Sequence, residues 1–325
     1  MDRRTAVLLG ILCLSLGALS QQTRASEPAP VPDPLRTPIQ AVAISPYNQI
    51  LAGTFGNGLF ASFDGGKTWA ARNNSLSNRN VFAIAVKSRN TIFAGTFGGG
   101  IYRSKDEHAL EWVQVNSGLN CNEVICLEVD QSGGLYAGTS EGEIYHSQDE
   151  GQNWAIVGDV GEFVNTISVD RTGDIFVGTS HGAYSSLDGG KTWNEIGVGL
   201  SCKDVWSLTI NKNGHVFAAT NGGGVFRSVD KGASWVQVNS GLTSKNAGSV
   251  AICPTGNVFV GTTGGVFVSY DDGETWSSFV NDPSNGAVRC LTIGLDGQLL
   301  VGTHWLDIFS TDPVQPLPEE AEEGE

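Results

Sequence analysis

Beyond residue 38 the apolar positions fall in short runs closed by turn residues, and no stretch keeps the three-and-four spacing of an amphipathic helix. One segment carries the pattern. "VFAIAV" at 81–86 is rich in β formers and is followed by the turn "KSRN"; then come "TIFAGT", a glycine-rich turn and "GIYRS" at 100–104. A further turn leads into "WVQVN" at 112–116, which alternates apolar and polar. Short β runs separated by regular turn signals predict four antiparallel strands and an all-β chain.

The unit returns along the chain. "SFDGGKTW" from Ser62 reappears with one letter changed as "SLDGGKTW" from Ser186. Looser copies read "SQDEGQNW" from Ser147, "SVDKGASW" from Ser228 and "SYDDGETW" from Ser269. "SKDEHALEW" from Ser104 carries one extra residue, and "STDP" from Ser310 is a stump. The aspartates Asp64, Asp106, Asp149, Asp188, Asp230, Asp271 and Asp312 stand 42, 43, 39, 42, 41 and 41 residues apart. Upstream of each lies a second echo, from "LAGTFG" and "FAGTFG" to "LVGTHW". A period near 41 repeated seven times, with four strands in each, predicts a seven-bladed β-propeller of four-stranded blades over 39–313.

The repeated motif has a structural explanation. In S-x-D-x-G-x-T-W the aspartate is placed to accept hydrogen bonds from N–H groups of its own turn. The glycine supplies a positive φ, and the tryptophan opens the next strand as a large apolar body between neighbouring hairpins. The residues in this role are Asp64 and Trp69, Asp106 and Trp112, Asp149 and Trp154, Asp188 and Trp193, Asp230 and Trp235, and Asp271 and Trp276. The alternative is calcium, since D-x-G also occurs in calcium loops. That ion takes about six or more oxygens, and one carboxylate per turn does not supply them, so no metal and no cofactor is expected.

These motifs resemble the Asp-box, or BNR, repeat of sialidases, sortilin-type receptors, certain xyloglucanases and the photosystem II stability and assembly factor. The resemblance spans 39–313 and implies a propeller whose hairpin turns are Asp-boxes. It says little about activity, because the repeat occurs on enzymes, receptors and assembly factors alike. The second box departs from it with "EHALE", and the seventh lacks both glycine and tryptophan.

The ends read differently from the repeats. Arg3 and Arg4 precede the apolar run 6–19, with small residues after it, which is the order of a signal peptide over 1–20; cleavage after Ser20 or Ala25 fits equally. Export to a periplasmic or extracellular space is expected, with no membrane span in the mature chain. A proline-rich segment, 21–38, follows. The seventh repeat lacks a clean fourth strand; counting back from Ile39 puts one near 27–31, "EPAPV", and counting forward puts it in "LPEEA". The N-terminal choice would link first and last blades and close the ring. The stretch 314–325 reads as a solvated acidic tail. Of the cysteines outside the leader, Cys126 and Cys290 share a small-residue column with Ala41, Ala83, Ser207 and Ser249, and read as buried side chains. Cys121, Cys202 and Cys253 complete an odd set in which no pairing is assigned.

Function has to be sought where the blades differ, since a feature shared by every blade reads as structural. His304, Trp305 and Asp307 replace the glycine turn in "THWLD", and His181 replaces glycine in "TSHG". Trp206 and Arg289 occupy a column that elsewhere holds Gln40, Phe82, Ile125 and Asn165. Trp and Arg are enriched at interface hot spots, so these six residues are the candidates for binding a protein or glycan partner on one ring face. Each also has a plain structural reading as a turn or cap residue. The net charge of −15 argues against nucleic acid and anionic membranes. A monomer is expected.

Two other readings stay open. The first is an assembly factor of a membrane complex, as the photosystem II factor is; that family's arginine-rich patch would here have to come from Arg79, Arg103, Arg227 and Arg289, scattered over four repeats. The second is a glycoside hydrolase of the sialidase or xyloglucanase type. It would need a carboxyl pair about 5–10 Å apart. Glu123, Glu141, Glu143 and Asp204 are its loop candidates. The sialidase "F/Y-R-I-P" signature is absent.

Overall fold

The computed structural model describes residues 37–46, 48–88, 90–106, 108–280, 287–294, 297–303 and 308–310. These form a β-propeller. Six antiparallel sheets have four strands each, in sequence order from the channel outward: blade one spans 39–71, two 81–114, three 124–159, four 164–195, five 205–237 and six 247–280. A further sheet, made of Val288–Ile293, Leu299–Thr303 and Ile308–Ser310, has three strands among the described residues. The expectation of seven four-stranded blades is corrected accordingly: six blades have four strands, and the sheet after blade six has three among the described residues. The segments 1–20, 27–31 and 314–325, together with His304, Trp305, Asp307 and Asp312, lie outside the described residues.

The echo "GT" places neighbouring blades. Gly178 lies so close to the first residue of blade five that a Cβ there would stand 2.5 Å from Val205 Cγ1. The threonine after it closes the next turn, as when Thr96 Oγ1 donates to Gly100 O at 2.8 Å. Apolar side chains therefore gather between sheets, one cluster at each seam. Blades five and six share Phe217, Val225, Phe267 and Trp276, and the last sheet meets blade one through Leu300, Ile39 and Phe60.

The S-x-D turns show the hydrogen bonding their sequence suggests. Ser186 Oγ donates to Asp188 Oδ1 and accepts from Gly190 N, both at 2.8 Å; Thr192 N donates to Asp188 Oδ1 at 2.9 Å and Thr192 Oγ1 to Oδ2 at 2.7 Å. Both carboxylate oxygens are thus engaged by their own turn. In the second turn Ala109, at φ 53°, absorbs the extra residue while Asp106 accepts from His108, Leu110 and Glu111 N–H groups. The tryptophans link blades: the indole N–H of Trp112, Trp154, Trp193, Trp235 and Trp276 donates to Arg72 O, Val115 O, Val157 O, Ile196 O and Val238 O of the preceding blade at 2.7–2.9 Å. Trp69 differs, donating to Gly66 O of its own turn.

A second device joins blades at the end of the ring that carries these turns, called here the box face. The residue after the box aspartate reaches back to the preceding blade. Glu150 meets Arg103 Nη1 at 3.2 Å, Lys231 meets Asp174 at 2.5 Å, and Asp272 accepts from Asn211 at 2.7 Å and pairs with His215 at 2.5 Å. All three have positive φ, between 56° and 60°, a strained conformation for a residue with a side chain. Where blade four has no such partner in blade three, Gly189 takes that position at φ 73°.

Candidate functional site

The opposite end, the loop face, carries the turns between second and third strands and the connections between blades. Every inner strand is bulged near this end: the ladder shifts register between Val205 and Ser207, and between Val288 and Cys290. The extra residue in the bulge is re-aimed out of the ladder. In sequence order this column holds Gln40, Phe82, Ile125, Asn165, Trp206, Gly248 and Arg289. The column singled out from sequence is therefore the bulge position of each sheet.

Two of its members meet. The Arg289 guanidinium lies over the Trp206 ring at 5.7 Å, a cation–π contact. Gly248 stands in the same column on the blade between them, so no side chain separates the two. Trp206 remains 37% exposed and its indole N–H donates to Asp204 Oδ1 at 3.0 Å, while Asn221 Nδ2 donates to Asp204 Oδ2. Partial burial pulls the Arg289 guanidinium down from its ordinary value, though arginine stays charged.

A row of three phenylalanines adds an apolar patch that the sequence reading passed over. Phe82 packs edge-on against Phe55, centroids 6.1 Å apart, and tilted against Phe97 at 5.5 Å; Phe55 is 44% exposed. Phe55 and Phe97 come from "GTFG" in blades one and two, and a motif shared by two repeats looked like consensus. Their departure from the "GTS", "ATN" and "GTT" of later blades was the available signal.

The remaining candidates are spread out. His181 pairs with Glu162 Oε2 at 2.8 Å and contacts Ser180 Oγ at 2.9 Å, on a side chain 69% exposed. Arg103 and Arg227 belong to the box face, where Arg227 donates to Asp272 O and Glu274 Oε1, both at 2.7 Å. They cannot join Arg289 in one patch. Of the carboxylates considered for glycoside cleavage, Glu123 accepts from Ser140 Oγ at 2.5 Å and Glu143 from Tyr145 Oη at 2.6 Å. All five cysteines of the propeller are free, and burial pushes the Cys290 thiol up to about 12.

Below the bulges the inner strands enclose a channel, with a cavity of about 370 Å³ lined by blades three to six and the last sheet. Among the described residues that line it the one carboxyl is Glu128, which burial, with help from Asp130, pushes up to about 8. No group of three or more metal-ligating side chains occurs among the described residues, and no helix there is long and apolar enough to cross a membrane.

Residues 40–288 match the family of the photosynthesis system II assembly factor YCF48. No curated protein matches the chain. Among solved structures, YCF48 bound to a D1 peptide is similar over 86% of this chain and 94% of that one, at 18% identity and a TM-score of 0.70. An ancestral GH74 enzyme is similar over 86% of this chain and 45% of its own, at 18% identity and 0.71. The extracellular domain of a putative one-component system from B. thetaiotaomicron is similar over 84% of this chain, at 16% identity and 0.69; the chain spans only 38% of that protein. Likeness at this identity establishes the fold.

Proposed function

The chain belongs to the photosynthesis system II assembly factor YCF48 family, and from that membership we propose that it is an exported, non-catalytic scaffold whose loop face holds a segment of a partner protein. The observation that carries this reading is the Arg289–Trp206 stack across Gly248, on the same face as the exposed phenylalanine row. Arginine and aromatic anchors at the centre of a face are the residues on which binding energy concentrates. The D1 peptide in the YCF48 structure supports a polypeptide as the partner class. His304, Trp305 and Asp307 belong to the same proposal, as does His181. The segment 1–20, read from sequence as a signal peptide, would send the scaffold to a periplasmic or extracellular space. A closing strand from 27–31 would complete the last sheet as the seventh blade of an Asp-box ring, and the protein works as a monomer.

The likeness to a GH74 enzyme does not favour hydrolysis, because Glu123 and Glu143 are each committed to a neighbouring hydroxyl. A photo-crosslinking amino acid at Trp206, in the chain expressed in its own host, tests the scaffold. One protein partner should be captured, and lost on Arg289→Ala. Capture only from Phe63, which lies 52% exposed in a box turn on the opposite face, would overturn the assignment. So would turnover of xyloglucan or a sialoside that disappeared with Glu123→Gln.

A further inference from the structure

The channel holds one chemical oddity. Successive inner strands present Ala43, Ala85, Glu128, Ser168, Thr209, Ala251 and Thr292 at one equivalent position. The column is small in every sheet except at Glu128. That carboxyl lines the cavity, and among the described residues nothing donates a hydrogen bond to it. The Glu128 side chain is only partly buried, and no packing need explains an acidic residue there, because alanine or serine fills the same place in neighbouring strands.

We propose that the channel cavity is a binding site for a cationic amine or guanidinium group, which pairs with the Glu128 carboxylate. Its volume falls in the range of small-molecule sites, roughly 300–1,000 Å³. Its walls suit a donor-rich cation. Ser168 Oγ donates to Leu208 O at 3.0 Å, leaving its lone pairs as acceptors, and Thr209 and Thr292 add hydroxyls from the facing strands. A guanidinium offers five donors and no acceptor.

The surrounding charges agree with this sign. On its own strand's turn Glu128 is followed by Asp130, and the next inner strand is followed by Asp170. On the other side Lys87 is engaged with Glu150 at 3.9 Å. Cys126 is the other titratable group lining the cavity, and burial keeps its thiol protonated. Arg289 stands at the loop-face end of the inner strands, stacked on Trp206, so the acidic box-face end is the favourable entrance. An anion would face Glu128 and Asp130 together.

Calorimetric titration with agmatine tests the site, with an acetylated, amidated arginine hexapeptide as a second probe. The binding-competent form is the ionised one, so its fraction sets the apparent affinity. For a carboxyl titrating at about 8, agmatine should bind about 10-fold more tightly at pH 9 than at pH 7. Glu128→Gln, which mimics the neutral carboxyl in shape, should abolish both the binding and its pH dependence while keeping the fold. Thr209→Leu, which fills the channel and leaves the carboxyl, should weaken binding without removing the pH dependence. Agmatine binding alone assigns the site to a free small cation. Peptide binding that agmatine displaces assigns it to an arginine side chain of a partner. Failure of both probes, or equal binding by Glu128→Gln, overturns the proposal and leaves the scaffold reading untouched.

Discussion

Blades three and four meet across one seam, and blades five and six across another, and both are built from the same repeat. At the second seam Trp276 is 4% exposed, and Asp272 gathers Asn211, His215 and Arg227 from the neighbouring blade. At the first, Trp193 is only half-buried, the box position is Gly189, and the facing turn residue is Gly134. His146 stands there in the strand column that holds Arg227 in blade five, but its buried Nε2 has no hydrogen-bond partner among the described residues. Burial accordingly pulls the His146 imidazole down. The contrast shows what the strained residues are for. A side chain is kept at positive φ where the preceding blade offers it an opposite charge or a hydrogen bond, and glycine takes the position where it does not.

The largest test of the contrast is tryptophan deletion. Trp276→Ala should cost about 3–5 kcal/mol in denaturant unfolding, the range for a buried large aromatic. Trp193→Ala should cost less, about 1.5–3 kcal/mol, in proportion to the smaller area removed from water. Equal losses would erase the distinction between the seams. Next in size, Asp272→Ala should lower stability by about 1–3 kcal/mol, because it leaves the part-buried His215 and Arg227 short of partners. Hydrogen exchange should then quicken in Ala247–Ile252 towards the faster rate expected of Val164–Val169.

Acid should act on the S-x-D turns themselves, whichever seam they border. Hydrogen bonds from Thr68, Asn153, Thr192 and Ser234 hold Asp64, Asp149, Asp188 and Asp230 down at about 2. These carboxyls have a folded value below their unfolded one near 3.9. Their stabilisation is complete above about pH 4 and is lost as pH falls towards 2, where the folded state too is protonated. A melting temperature flat between pH 4 and pH 2 would contradict the turn geometry. The smallest expected effect is that of a chelator, which should leave the melting temperature unchanged if these aspartates serve their own turns.

Much of this architecture could be read from the chain, because it rests on local chemistry. The period, the four strands and the Ser–Asp–Thr bonding of the turns each involve residues within a few positions of one another. The site residues were legible only as a column. Trp206 and Arg289 stood out by type, but their contact depends on a bulge in two strands and a glycine on the blade between. The phenylalanine row was hidden by its repetition. The links between blades could not be read at all, since Asp174 and Lys231 are 57 residues apart and the sign of the pair changes from seam to seam. Nor could the difference between Trp193 and Trp276, which lies in their neighbours rather than in the motif.

Those links have a consequence for how such a ring is copied and rearranged. A repeat is commonly thought of as an interchangeable part, yet here each carries an address for the repeat before it. A tandem duplicate of blade five would set His215 and Arg227 of the first copy against Lys231 of the second, with the Arg227 and Lys231 cations facing each other, in place of the Asp272 that normally receives them. Blade four could not follow blade five without leaving the same groups facing Gly189. The order of blades is thereby written into the protein twice, once in the covalent chain and once in the pairing of charges across its seams. A circular permutant, which preserves every neighbour, should be tolerated far better than a shuffle that keeps every blade intact.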